Sequence, residues 1–68
     1  LNIQLETAPE EGAVLEVFDR TGRLVQTSLF PAETTGSELN TAGLPTGLYQ
    51  LRIIAGREVR VQQFLVKR

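Results

Sequence analysis

Side chains able to act on a substrate are few in this chain, and their spacing suits the task poorly. Histidine and cysteine are both absent from the 68 residues. That removes Cys/His zinc sites, iron–sulfur and haem ligation, thiol nucleophiles and any Ser-His-Asp triad. Glu10 and Glu11 form an adjacent carboxylate pair. Neighbours in a turn point apart into water, whereas acid–base catalysis needs groups that converge on one proton. Glu33, Thr34, Thr35 and Ser37 offer oxygens for weak calcium binding, but their spacing matches no EF-hand, and a polar loop accounts for them equally well. Gly43-Leu44-Pro45-Thr46-Gly47 is not a phosphate loop, because Pro45 removes an amide donor and no lysine follows. Tyr49, the one tyrosine, reads as a core ring with its hydroxyl at the rim. Phe18, Phe30 and Phe64 could form a sugar platform, a poor one without tryptophan. These residues assign no catalytic group, metal or cofactor, and they point to a binding or interaction module rather than an enzyme.

The elements that must position these side chains repeat with a period of two. Leu1, Ile3 and Leu5 alternate with Asn2, Gln4 and Glu6, which predicts a half-buried strand. Ala8–Gly12 reads as a turn. Ala13–Asp19 is a second strand, with Leu15 and Val17 on one face and Val14, Glu16 and Phe18 on the other. Asp19-Arg20-Thr21-Gly22 has the residues of a type I turn, and Arg23–Phe30 follows as a strand whose alternation breaks at Leu24-Val25. Pro31–Glu38 is the longest polar stretch and is expected to be a loop, with a short strand at Leu39–Thr41. Leu44-Pro45-Thr46-Gly47 is expected to turn the chain, with Gly47 in a conformation that a Cβ penalises. Leu48–Ala55 is a strong strand with Tyr49, Leu51 and Ile53 on one face, predicted to pack with Leu15 and Val17. Ala55-Gly56-Arg57 suggests a type I turn closed by a bulge. The last strand is Glu58–Lys67, with Leu65 expected as its final core contact. No segment carries helix caps around a 3.6-residue period. The expected fold is all-β: a small antiparallel immunoglobulin-like sandwich of about six to seven strands.

Composition sets further bounds. Hydrophobic residues are 41% and charged residues 22%, ordinary globular usage, in one domain spanning 1–68. The net charge of −1 gives no field directed at nucleic acid, and no apolar run is long enough for a membrane helix. The absence of methionine and of a signal peptide predicts a longer parent polypeptide continuing upstream. Without disulfides the compartment cannot be read from cysteine usage, and the fold rests on a small core. Residues 1–19 hold five acids and no base, and residues 52–68 hold five bases and one acid. Solvated edge charge explains this; a basic C-terminal hairpin that docks an acidic partner is the alternative.

Three stretches carry a family resemblance. Val17-Phe18-Asp19-Arg20-Thr21-Gly22-Arg23-Leu24-Val25 is similar to a hydrophobic-aromatic-Asp-x-x-Gly-Arg-x-Val hairpin. Leu39–Tyr49 contains a Leu-Pro-x-Gly-x-Tyr segment. The chain ends in a basic strand, Phe64-Leu65-Val66-Lys67-Arg68. In this order and spacing the set resembles the type A C-terminal sorting domain of the type IX (Por) secretion system of Bacteroidota, over essentially all of residues 1–68.

The resemblance implies a non-catalytic domain at the end of a large exported protein, covalently linked to its upstream cargo. Such a domain passes through the periplasm, is recognised by type IX machinery at the outer membrane, including shuttle and sortase proteins, and is typically cleaved as the cargo reaches the cell surface or medium. It implies no nucleic acid and no membrane insertion. The family's positions fall on Asp19, Gly22 and Arg23 in the hairpin, on Leu44, Pro45, Gly47 and Tyr49 in the second segment, and on Lys67 at the basic end. Of these, Arg23 and Lys67 are the ones free to meet a partner. The chain lacks the Asn-Pro segment that usually precedes the family's first strand, so that strand is expected to be truncated at its N-terminus. The competing reading is an immunoglobulin-like, fibronectin-like or carbohydrate-binding accessory module of a secreted enzyme.

Overall fold

A computed structural model describes residues 1–68. Six strands form: β1 (Asn2–Gln4), β2 (Ala13–Phe18), β3 (Leu24–Phe30), β4 (Gly36–Glu38), β5 (Gly47–Ala55) and β6 (Glu58–Val66). There is no helix. Strands β3-β2-β5-β6 make a four-stranded antiparallel sheet, and β1-β4 a two-stranded one. The two enclose one core, the arrangement expected for a small β-sandwich.

The alternation of residue types decides what enters that core. In an antiparallel pair, residues directly opposite share a face. Leu15 pairs with Ile53 and Val17 with Leu51, and all four are buried, as is Tyr49 on the same face. Phe30, opposite Ala13, joins them on that face, and Ile3, Leu39 and Leu44 close the core from the other side. The break at Leu24-Val25 has a cause. A β-bulge between Val17 and Phe18 sets Leu24 opposite Phe18 on the outer face, while Val25 packs against the core.

Several expectations are corrected. The short strand after the polar loop is Gly36–Glu38, not Leu39–Thr41. It forms there because Leu39 exchanges two backbone bonds with Leu1 (2.7 and 3.0 Å), which fixes β4 beside β1. The Ala55/Glu58 pairing leaves a two-residue loop with no bulge, and Gly56 has φ 60° while Arg57 does not have positive φ, the pattern of a type II′ turn. Leu65 is not a core residue: it is 64% exposed, whereas Phe64 and Val66 are buried. Counting back from the turn places Phe64 and Val66 opposite Tyr49 and Gly47 on the inner face, and Leu65 opposite Leu48 outside.

Candidate recognition surface

The strand registers bring the dispersed motif residues to one end of the sandwich. Phe18 lies beside Gln50, and Gln50 beside Gln63. Beyond that row lie the β2–β3 hairpin with Asp19, Gly22 and Arg23, the 41–47 loop with Leu44, Pro45 and Gly47, and the C-terminal residues Val66–Arg68. Tyr49 stands at the same end, on the inner face of β5. The opposite end carries the 8–12 turn, the 31–35 loop and the Gly56-Arg57 turn. The bases are therefore divided: Lys67 and Arg68 are at the motif end, while Arg57 is at the other, across the whole length of β6.

Asp19 organises its hairpin. Its Oδ1 accepts from the Thr21 hydroxyl (2.6 Å), the Thr21 N–H (2.9 Å) and the Arg23 N–H (3.0 Å), and Gly22 N–H donates to the Asp19 carbonyl at 3.0 Å. The Thr21 hydroxyl, followed by the Arg23 backbone N–H, holds the Asp19 carboxyl below its ordinary value. Arg23 Nε lies 3.4 Å from Asp19 Oδ2, yet its side chain is largely exposed. Asp19 thus shapes the turn, and the Arg23 guanidinium is what the turn presents.

The second segment differs from expectation. The hydrogen-bonded turn is Thr41–Leu44, closed by Leu44 N–H donating to the Thr41 carbonyl (3.0 Å) and primed by Ala42 N–H on Asn40 Oδ1 (3.0 Å). Leu44–Gly47 has no backbone bond across it: the Leu44 carbonyl, which would close it, accepts from Arg68 Nε at 2.9 Å, and the Pro45 carbonyl accepts from the Tyr49 hydroxyl at 2.7 Å. A tyrosine bonding a few residues upstream is the corner device of immunoglobulin-type sandwiches. The Tyr49 ring stacks on Phe64, with centroids 5.7 Å apart. Gly47 does not have the strained backbone expected of it: its φ is not positive, and a Cβ there would meet only the Tyr49 ring at 3.7 Å, an ordinary contact. Leu44 is buried in the core.

Arg68, outside the motif, performs a role the sequence did not signal. Its Nε donates to the Leu44 carbonyl (2.9 Å), its Nη2 to the Thr41 carbonyl, and its backbone N–H to Thr46 Oγ1 (3.2 Å). Carbonyl partners leave no trace in residue types, so only the fold reveals this clamp. Lys67 is exposed and makes no ion pair. A shallow groove of ≈ 270 Å³ runs past it, between Leu1 and Thr41 on one side and Phe64–Arg68 on the other. Glu16 and Arg52, an outer-face pair, were also unforeseen: Arg52 Nε donates to Glu16 Oε1 at 2.8 Å, and the guanidinium sits 5.0 Å over the Phe18 ring.

The remaining chemical candidates are dispersed. Phe30 and Phe64 are buried and Phe18 lies under Arg52, so the three make no platform. The Thr34 hydroxyl donates to the Gly36 carbonyl (3.0 Å) and is spent on its own loop.

What the arrangement offers is one end of a sandwich on which the 41–46 loop and the C-terminal Arg68 are tied together by hydrogen bonds beside the self-bonded Asp19 hairpin, a surface suited to being recognised. No curated protein and no solved structure matches the chain. A family model described as the secretion system C-terminal sorting domain matches residues 1–67. The chain thus belongs to the family of C-terminal sorting domains through which the type IX secretion machinery exports proteins across the outer membrane to the cell surface or beyond.

Proposed function

We propose that the domain is read as a folded unit, and that the end bearing Asp19, Gly22, Arg23, Leu44, Pro45, Gly47, Tyr49 and Lys67 is the surface read. The readers are the shuttle and sortase proteins of the type IX machinery of a Bacteroidota cell. They meet the domain after it has entered the periplasm covalently joined to its upstream cargo. Residues 1–68 act as one non-catalytic unit, an immunoglobulin-like address on which the cargo's own chemistry does not depend. The observation that supports this reading is the gathering of all the motif positions at one end by the β2/β5/β6 registers. Within that end the roles differ. Asp19, Leu44, Pro45 and Tyr49 set its shape, and the Lys67 ammonium and the Arg23 guanidinium present charge to a partner. Nothing in the geometry favours a sugar-binding module, since no row of aromatic rings is exposed.

The test fuses the chain behind an unrelated passenger in a type IX-competent bacterium. The passenger is expected at the cell surface or in the medium, and Lys67→Glu is expected to leave it in the periplasm without changing the melting temperature. Retention of the passenger by the unaltered domain would defeat the sorting role. Export unaffected by Lys67→Glu and by Arg23→Glu would move recognition away from this end.

A further inference from the structure

The four-stranded sheet ends on β6, nine residues long, with no proline and no bulge. Such an edge is normally blunted, since its free N–H and C=O groups are a template for another strand. The other edge of this sheet, β3, is distorted by the bulge, and Gln26 bonds the Asn40 carbonyl across it at 2.9 Å. The type II′ turn makes Ala55 and Glu58 the hydrogen-bonded pair at the base of the hairpin. Bonding then alternates along the ladder, so Glu58, Arg60, Gln62, Phe64 and Val66 bond to β5. The backbone groups of Val59, Val61, Gln63 and Leu65 point outward from the sheet, unclaimed. The side chains of these same four residues lie on the outer face, where Val59, Val61 and Leu65 are 55–64% exposed. That face continues inward as an apolar surface through Ile54, Val14 and Leu29.

On the inner face, the two-stranded sheet leaves the first half of β6 uncovered. Arg60 stands there, exposed and without an ion-pair partner. Glu58 is its neighbour on that face, and Glu10 and Glu11 line the far side of the same groove. A second copy of the chain offers Arg60 no carboxylate at this edge. In the antiparallel register that uses all four free residues, Arg60 would stand opposite Phe64 and stay unpaired, and in the register centred on residue 60 it would meet itself. Like charges directly opposite are destabilising.

We propose that β6 takes an added strand from a partner protein: an extended segment with apolar residues on alternate positions, facing outward beside Val59, Val61 and Leu65, and a carboxylate on the inner side opposite Arg60. The free edge supplies the main-chain bonds, the apolar face supplies burial, and Arg60 supplies the register. The proposal rests on the reading that the domain is recognised while folded, and it adds a second contact away from the motif end.

The probe is a blocked heptapeptide, Thr-Val-Glu-Val-Thr-Val-Thr, against the same peptide with lysine for glutamate. Amide exchange and NMR shifts of the 68-residue chain are followed up to millimolar peptide. In the free chain the amides of Val59, Val61, Gln63 and Leu65 are expected to exchange fast and those of Arg60, Gln62 and Phe64 slowly. The glutamate peptide should slow the first set selectively. The lysine peptide should bind about three- to tenfold more weakly, because like-charge repulsion at Arg60 replaces an exposed ion pair. Arg60→Glu should reverse that preference. Val61→Pro should abolish binding, because its N–H faces the partner and proline removes no bond to β5. Should Val61→Pro not fold, the charge reversal at Arg60 still decides. No protection at the four amides, protection indifferent to the Arg60 charge, or protection arising from self-association at raised chain concentration would each overturn the proposal. Passenger export by the unaltered domain, scored separately, bears only on the sorting role.

Discussion

Removing the C-terminal residues one at a time should produce a staircase in stability rather than a slope. Arg68 holds the 41–46 loop by three hydrogen bonds in a partly exposed setting. At roughly 0.5–1.5 kcal/mol for each bond, discounted for water's access, its loss should cost about 1 kcal/mol. Lys67 touches no partner charge and faces solvent, so removing it next should cost about nothing measurable. Val66 is buried opposite Gly47 on the core face. Its removal should forfeit about 1.5–3 kcal/mol of burial together with its ladder bonds. For a chain this size, total stability is on the order of 3–10 kcal/mol, and each kcal/mol moves the melting point by about 4–8 °C. Thermal melts followed by far-UV circular dichroism should then show a step of several degrees, a flat tread, and a drop large enough to leave part of the population unfolded at 37 °C. Equal steps, or a Val66 step no larger than the Lys67 step, would refute the face assignment of β6. The same logic shows why deleting all three residues cannot separate export from folding, whereas substituting Lys67 can.

Leu51→Ala should cost about 2–5 kcal/mol, because Leu51 is fully enclosed between Val17 and Gln62 at the centre of the sheet, while Leu65→Ala on the outer face should stay within about 0.5 kcal/mol; urea midpoints separate the two. Gly12→Ala should be strongly destabilising, since φ there is +80° and a Cβ would lie 2.6 Å from the Phe30 carbonyl oxygen, whereas Gly47→Ala should be close to neutral in thermal melts. Asp19 should titrate below the ordinary aspartate value, and Thr21→Ala should raise it by removing the largest cause, as read by carboxyl NMR shifts. With the folded-state pKa depressed, the stabilisation Asp19 contributes is present above the unfolded-state value and is lost as pH falls through the folded one, so acid melts of the parent should show that loss and those of Thr21→Ala a smaller one.

Much of the fold was legible because strand alternation is a local property. The β2 and β5 faces followed from residue types alone, and Leu15, Val17, Tyr49, Leu51 and Ile53 are in the core as that pattern requires. The β6 face was misassigned at Leu65 because apolar residues occupy both of its sides, Val59, Val61 and Leu65 on one and Phe64 and Val66 on the other; hydrophobicity cannot choose a face when the outer one is also apolar. β4 was misplaced because Gly-Ser-Glu has no strand propensity of its own and is made a strand by bonds from a segment more than thirty residues away. The turn at Asp19 was readable, since its side chain bonds its own neighbours. The Leu44–Gly47 segment was not, since the carbonyl that would close it accepts from Arg68, more than twenty residues away, and proline with glycine in sequence suggests a closed turn whether or not one forms.

The two sheets are unequal, and that inequality ties the shape of the motif end to stability. On β6 only Phe64 and Val66, at the motif end, are covered, while Glu58, Arg60 and Gln62 on the same inner face are not. On the β6 side the core therefore lies against the end that carries Leu44, Pro45, Gly47 and Tyr49, while Ala13 and Phe30 extend it on the β2–β3 side to the other end, and Leu44 and Tyr49 of the first end are among the residues that close it. Leu44 is enclosed within it, the Tyr49 ring packs on Phe64 while its hydroxyl holds Pro45, and Arg68 fastens the loop over both. A domain with this construction presents the proposed recognition end in the right shape only while the sandwich is intact, because no separate scaffold holds the turns in place. Loosening the core and blurring the surface are then one event, and a passenger behind an unfolded domain would lose its address along with its fold. The exposed charges of Lys67 and Arg23 stand outside this coupling, since neither packs in the core, and for that reason they are the positions at which the proposed recognition is to be tested while the fold is left alone.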